Sequence, residues 1–510
     1  MRGLGRSRIV LGTGGAACFL ALWEAAGRNG WLGRTFPPLS DAIAKIGEQD
    51  DVIRRAAVAT FERAAWGYLL GALLAMGLAV LALLVPRLEN ATYTGSVVVH
   101  AVPAIALGPV INALGFTQQT PVLFALMFVF FTILVATGSG FTSGSRSTHD
   151  VFSVLGSSKI KRFGLLQVPN AIPNVIDGLR VAAPAAVSGA VLGEWFGSER
   201  GLGVLLLNAM RNFQVEQLWA VAVVLVVLAG GAYLLMGVVE KLVEEIFGRV
   251  VVVGGVNRVG RGLGRIRSLA SQLWVVVLLI VGWWLWIAIE SVPELVAPSP
   301  PRTLSAVVDN PGLYAEHTLA TLLSAVGGLS MGLALGTTLA LLSSLSLPLR
   351  NTLSPIVVIM PTVPIVVLIP LVARLFGFSQ LTVLVIAAVI AFFPVYVFTL
   401  SGLRARPPGA DGVYSVLGSS RWRRVLLLEI PSAVPNVLTG VRITASTVFL
   451  AALTAEWLMG TKGLGFLFST SRASFENSEA WGAIVIAVIF AVITYQLASA
   501  LERWGRERWT

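Results

Sequence analysis

A single cysteine, Cys18, and three histidines occur in 510 residues. No intrachain disulfide can form, and redox compartment leaves no trace in the sequence. His149 stands beside Asp150, but no further cysteine or histidine lies near enough to complete a metal site, and His100 reads as a packed polar residue. Histidines so scattered also exclude Ser-His-Asp and Cys-His catalytic sets. Charge is scarce too: 12% of residues are charged against 56% hydrophobic, with a mean hydropathy of +0.82, which excludes an ordinary soluble protein. A P-loop needs glycine directly before its lysine. Lys45, Lys159, Lys161, Lys241 and Lys462 all lack it, so this chain is expected to bind neither ATP nor another cofactor.

What the chain has instead is apolar runs of about 18 residues or more, each able to cross a ~30 Å hydrocarbon core. They imply an all-α polytopic membrane protein with twelve crossings, six in each half. In the first half the crossings are expected near Ile9–Ala26, Phe61–Val85, Thr92–Leu114, Pro121–Ala136, Val181–Phe196 and Leu218–Val239. Ala16-Ala17-Cys18 mimics a lipoprotein cleavage site, but the apolar run continues past it, so the first helix is expected to be uncleaved. The net charge of +11 is explained by basic loops retained in the cytoplasm rather than by nucleic acid. Arg2, Arg6 and Arg8 place the N-terminus inside, and the basic stretch from Lys241 to Arg267 places the middle of the chain inside as well. The expected domains are 1–245 and 271–510, joined by a cytoplasmic linker at 246–270, with both termini cytoplasmic.

The two halves repeat one another. Phe152-Ser-Val-Leu-Gly-Ser-Ser-Lys159 runs on to Pro169, and Tyr414-Ser-Val-Leu-Gly-Ser-Ser-Arg421 runs on to Pro431. Gly156, Pro169, Pro173 and Arg180 find Gly418, Pro431, Pro435 and Arg442 at one constant offset. Pro103 and Pro109 are answered by Pro364 and Pro370, Glu194-Trp195 by Glu456-Trp457, and Gly201-Leu-Gly203 by Gly463-Leu-Gly465. A period this long marks a duplicated domain, since solenoid repeats are about 20–50 residues. An even number of crossings in each half makes the repeats parallel. The duplicated segment, within the loops 146–178 and 404–440, alternates Val154, Leu155, Ile160, Phe163 and Leu166 with Ser157, Ser158, Lys159, Lys161 and Arg162. This reads as two short amphipathic helices broken at Gly156 and ended by Pro169 and Pro173, a rigid polar knuckle facing the cytoplasm once per half.

The spacing from Gly156 to Pro169, repeated from Gly418 to Pro431, resembles the EAA loop of permease subunits of binding-protein-dependent ABC importers. Pro103 to Phe116, Pro364 to Phe378, Glu194-Trp195 and Gly201-Leu-Gly203 are similar to the nitrate/sulfonate/taurine branch. The triplet that names the loop is degenerate here, Asp150-Val-Phe152 and Gly412-Val-Tyr414. The resemblance implies a fusion of two type I permease domains with the pathway between them. Separate ATP-binding-cassette ATPases, carrying ATP and magnesium, would receive Gly156, Ser157, Ser158, Lys159 and Pro169, and Gly418, Ser419, Ser420, Arg421 and Pro431. An extracytoplasmic substrate-binding protein would deliver a small polar or anionic solute or a vitamin precursor. Pro103, Pro109, Pro364, Pro370, Glu194, Glu456 and Arg374 are the pathway candidates, with Arg374 also placed to snorkel to the headgroups and the two glutamates beside interfacial tryptophans. An ion-coupled secondary carrier built from two parallel halves is the alternative, disfavoured because buried titratable residues are few.

Overall fold

A computed structural model describes the chain apart from residues 1–13, 15–16, 32, 34, 86–87, 90–91, 94, 97–101, 144–150, 153, 248–276, 278–279, 295, 347–348, 351–352, 354–359, 406–408 and 510. Asp150, His100, His149, the N-terminal arginines and nearly all of the basic linker therefore lie outside the described residues.

The same element order occurs twice. The first half comprises α1 (17–28), α2 (Leu39–Glu48), α3 (Asp50–Leu84), α4 (Ala104–Ala113), α5 (Thr120–Phe141), α6 (Val168–Glu194), α7 (Leu202–Arg211) and α8 (Val215–Phe247). The second comprises α9 (Ile280–Glu290), α10 (Pro300–Asp309), α11 (Pro311–Leu345), α12 (Ile365–Phe376), α13 (Gln380–Arg404), α14 (Ile430–Met459), α15 (Leu464–Ala473) and α16 (Asn477–Trp509). Eight helices among the described residues are long and apolar enough to cross a membrane: α3, α5, α6 and α8, and their repeats α11, α13, α14 and α16. The helix starts obey simple chemistry. Asp50 and Asp51 sit in the positive first turn of α3, Pro121 and Pro311 open α5 and α11, and Ser379 caps α13 by accepting from the Thr382 N–H.

Several elements differ from the sequence expectation. The third crossing is not one helix from Thr92 to Leu114. Pro103 stands at the N-cap of the ten-residue α4, and only Pro109 lies inside it; Pro364 and Pro370 stand likewise around α12. A proline at an N-cap loses no intrahelical bond, so the sequence breaks where the break is cheapest. The second crossing is longer than expected because α3 begins at Asp50, well before Phe61.

The chain gathers into two compact units. One contains residues 1–45, 293–361 and 367–510, and the other 46–292 and 362–366. Within each, the helices pack through small residues. Gly67 and Gly71 on α3 face Ala125 and Leu126 on α5; Gly328 and Gly332 on α11 face Ala387 and Ala391 on α13. A methyl group on Gly332 would lie 2.5 Å from Ala391 Cβ and 2.7 Å from the Ala388 carbonyl. Lipid tails are as apolar as leucine, so this close backbone approach, not hydrophobic exclusion, holds the helices together. Gly332→Leu is therefore expected to destabilise the detergent-solubilised chain by about 1–3 kcal/mol, read as a lower thermal midpoint, whereas Gly282→Leu, with open space around it, should be silent.

Candidate functional site

Among the described residues the duplicated segment makes the same turn in the two halves. After the short helix Ala410–Val416, Gly418 turns to φ +59° and the Ser419 N–H donates to the Tyr414 carbonyl at 3.1 Å. In the first half Gly156 has φ +62°, and the Ser157 N–H donates to the Phe152 carbonyl at 3.1 Å. This is a Schellman stop, and its left-handed residue costs a side chain strain that glycine avoids. The second serine of each pair caps the next helical turn: Ser158 Oγ accepts from the Lys161 N–H at 3.3 Å and Ser420 Oγ from the Arg423 N–H at 3.4 Å.

Pro169 and Pro431 do not end the segment, contrary to the sequence expectation. One α-turn, Lys159–Arg162, passes through a π-turn, Phe163–Gln167, straight into α6; Arg421–Arg424 and Val425–Glu429 lead into α14 in the same way. Proline lacks an N–H and crowds the carbonyl four residues back, so the ladder widens by one residue just before it and then continues. The rod from Ile160 to Glu194 has 35 residues, roughly 52 Å at 1.5 Å per residue. The knuckle is also less polar than expected. Val154, Leu155 and Ile160, and Val416, Leu417 and Trp422, are strongly exposed, whereas Leu166, Val425 and Leu428 turn inward.

Just beyond the knuckle each rod is tied to the last long helix of its half. The Arg180 guanidinium meets Glu240 at 2.5 Å and lies over the Tyr233 ring at 4.4 Å. Arg442 meets Glu502, which also accepts from Thr439 at 2.7 Å and Arg506 at 2.8 Å, while Arg442 reaches the Tyr495 hydroxyl. Tyr233 and Glu240 find Tyr495 and Glu502 at the same offset that pairs Arg180 with Arg442, the one signal of these contacts that the sequence carries.

At the far end of each rod a buried glutamate grips an elbow. Glu194 accepts from Thr60 Oγ1 at 2.8 Å, from Arg63 at 3.1 Å and from the Gly203 N–H at 2.7 Å. Thr60 in turn accepts from the Leu202 N–H at 2.8 Å, and the Trp195 indole donates to the Gly203 carbonyl at 3.0 Å. The first N–H groups of α7 are thus satisfied by side chains from α3 and α6. Gly201, at φ +138°, leaves no room for a side chain against the carboxylate. Glu456 repeats the grip: Thr321 donates at 2.7 Å, the Gly465 N–H at 3.2 Å, and the Leu464 N–H donates to Thr321 at 2.8 Å.

The two elbows differ in charge. Ser324 stands where the first half has Arg63, and Gln380 instead donates to Glu456 at 3.3 Å and to Ser324 at 2.7 Å. The Gly463 N–H donates to His317 Nδ1 at 3.0 Å, and Ala56 occupies the equivalent place in the first half. Among the described residues no lysine or arginine pairs with Glu456. The third-helix candidates lie apart from the knuckles. Asn112 donates to the Phe196 carbonyl and accepts from Thr120, and its place in the second half falls on Ala373, next to the half-buried Arg374.

A duplicated all-helical membrane chain, with an exposed loop-helix knuckle feeding a continuous rod in each half, defines a class of transporter subunit. The chain belongs to the family described as binding-protein-dependent transport system inner membrane component, which it matches over residues 67–246 and again over 332–506. It is similar to a probable ABC transporter permease protein of Haemophilus influenzae, 30% identical over 231 residues, covering 45% of this chain and 94% of that protein. Similarity extends to a riboflavin transport system permease of Chloroflexus aurantiacus, 28% identical, covering 47% and 92%. The taurine transport system permease of Escherichia coli is 23% identical, covering 46% and 89%. Each relative is matched along most of its own length by about half of this chain.

Proposed function

We propose that this chain supplies both halves of the translocation pathway of an ABC importer in a bacterial cytoplasmic membrane, with the knuckles and both termini on the cytoplasmic side. The observation that carries this reading is the unbroken helical rod joining each knuckle to an elbow. Separate ATPase subunits, holding ATP and magnesium, would grip the knuckles, and a shift of a knuckle would be delivered along α6 or α14 to Glu194 or Glu456. Such rigid-body gating needs only two discrete packings of the helices. Pro103, Pro109, Pro364, Pro370 and Arg374 would border the pathway, while the two glutamates would shape it by holding the elbows. An extracytoplasmic binding protein would deliver the substrate. The names of the relatives support a small anionic solute or a vitamin precursor.

Purification of the tagged chain from its native membrane in a mild detergent tests this. A P-loop ATPase and a solute-binding protein, identified by mass spectrometry, are the expected companions. A chain that emerges alone from several detergents, and whose uptake collapses on adding a proton ionophore, would instead be an ion-coupled carrier.

A further inference from the structure

We infer that the C-terminal end of α16 binds the headgroup of an acidic phospholipid of the cytoplasmic leaflet, and that the equivalent end of α8 in the first half does not. Only the choice of leaflet rests on the functional reading above. α16 has 33 residues, roughly 50 Å at 1.5 Å per residue, against a hydrocarbon core of ~30 Å. Its last turns therefore stand at the level of the headgroups. Ile489, Ile493, Leu497, Leu501, Trp504 and Arg508 follow one another at spacings of three and four along one face, and each is exposed. That stripe passes from aliphatic to aromatic to cationic toward the end of the helix. A phospholipid presents its acyl chains, its glycerol region and its phosphate in the same order.

The cations at this end are not all used by the fold. Arg506 turns inward to Glu502 and Thr439, joining the tie that Arg442 makes to Glu502. Arg503 and Arg508 remain exposed, and among the described residues neither forms an ion pair. Arg508 lies over the Trp504 ring, 5.8 Å from its centroid, so the guanidinium is held beside the aromatic ring of the stripe. Over 503–509 three arginines stand against the single acid Glu507, whereas 241–247 offers Lys241 against Glu244 and Glu245. Leu242 and Ile246 take the places of Trp504 and Arg508. The tie beneath is common to both halves, Arg180 with Glu240 and Arg442 with Glu502, so packing does not call for the exchange. An acidic leaflet attracts basic side chains just outside the hydrocarbon, and it would be repelled by the acids of α8. A protein partner would want the arginines but not a tryptophan continuous with the lipid-facing stripe.

The full chain, purified in a mild neutral detergent, would be titrated with phosphatidylglycerol, phosphatidylcholine or inorganic phosphate, and bound molecules counted by native mass spectrometry. Retention of phosphatidylglycerol is expected, with phosphatidylcholine and free phosphate held far more weakly. Arg503→Gln with Arg508→Gln should weaken retention about 25-fold, roughly fivefold for each charge removed. Arg503→Lys with Arg508→Lys should keep it, and Lys241→Gln should leave it unchanged. Equal thermal midpoints without added lipid would show that all the variants fold. Retention that survives the double glutamine variant, or equal retention of phosphatidylcholine, would overturn the inference. So would loss of a co-purifying protein from that variant with lipid binding intact, since the arginines would then serve a protein contact. The leaflet is read separately, by labelling Thr510→Cys in a Cys18→Ser background with an impermeant maleimide. Labelling only after the membrane is opened supports the cytoplasmic leaflet. Labelling on intact cells would overturn that assignment and the topology proposed above, while selective retention of phosphatidylglycerol would still support the lipid site.

Discussion

Glu194→Ala is expected to destabilise the first repeat by about 3 kcal/mol and to leave little functional transporter in the membrane. The loss has three sources. The Arg63 guanidinium, four-fifths buried, loses its carboxylate, Thr60 loses an acceptor, and the Gly203 N–H is left without a partner where water does not reach. Each orphaned buried polar group costs about 1–3 kcal/mol, and a buried charge costs more. Arg63 keeps its bond to the Arg200 carbonyl, which limits the total. The conservative change separates the two halves. Glu456→Gln removes no ion pair, and its amide nitrogen could donate to Gln380 once that amide rotates to present its oxygen, so about 1 kcal/mol or less should be lost. Glu194→Gln trades an ion pair for a neutral acceptor beside Arg63 and should cost about 2 kcal/mol. Thermal unfolding of the solubilised chain measures all three variants. An equal drop for both glutamine variants would mean that the charge of Arg63 contributes nothing to the first elbow.

That difference between the elbows shows where sequence reading stops. The duplication, the proline and glycine pairs and the positive φ of Gly156 and Gly418 were legible, because each depends on residue type at a fixed spacing. The partners of Glu194 were not. Thr60 and Arg63 lie more than a hundred residues away, and nothing local marks a threonine as the one beneath a loop. Glu194 and Glu456 looked like pathway acids because an acid in an apolar run is costly unless used. Each carboxylate also accepts from an N–H group at a helix start. Pro169 and Pro431 misled for a different reason: the breaker rule holds for an α-helical ladder, and a π-turn escapes it by adding one residue. The alternation of Val154 and Leu155 with Ser157, Ser158 and Lys161 reads as a polar knuckle, whereas both apolar side chains stand exposed beside the Schellman turn. The broken third helix could have been read from Pro103, had its place at a helix start been weighed against its place in a crossing.

The apolar tip makes Leu155→Asp with Leu417→Asp the most damaging pair of surface changes. Both side chains are largely exposed, so the chain itself should insert, fold and melt like the wild type; surface substitutions away from packed features stay within about 0.5 kcal/mol. On the proposed function, their cost arises only when an ATPase closes over them. A carboxylate carried into an apolar cleft without a partner costs several kcal/mol, and each 1.4 kcal/mol is tenfold in affinity, so docking should weaken by about a hundredfold or more at each knuckle. The expected result in reconstituted liposomes is loss of ATP-driven uptake and of co-purifying ATPase, with an unchanged thermal midpoint of the permease chain. Leu155→Met with Leu417→Met, which keeps volume and polarity, should retain both. On the proposed function, in which an ATPase subunit drives each rod, either single aspartate variant should already abolish uptake, since the two halves change packing together. Wild-type uptake by the double aspartate variant would show that the knuckle tip is not where force enters the membrane helices, and the rods ending at Glu194 and Glu456 would then have to be driven from another surface.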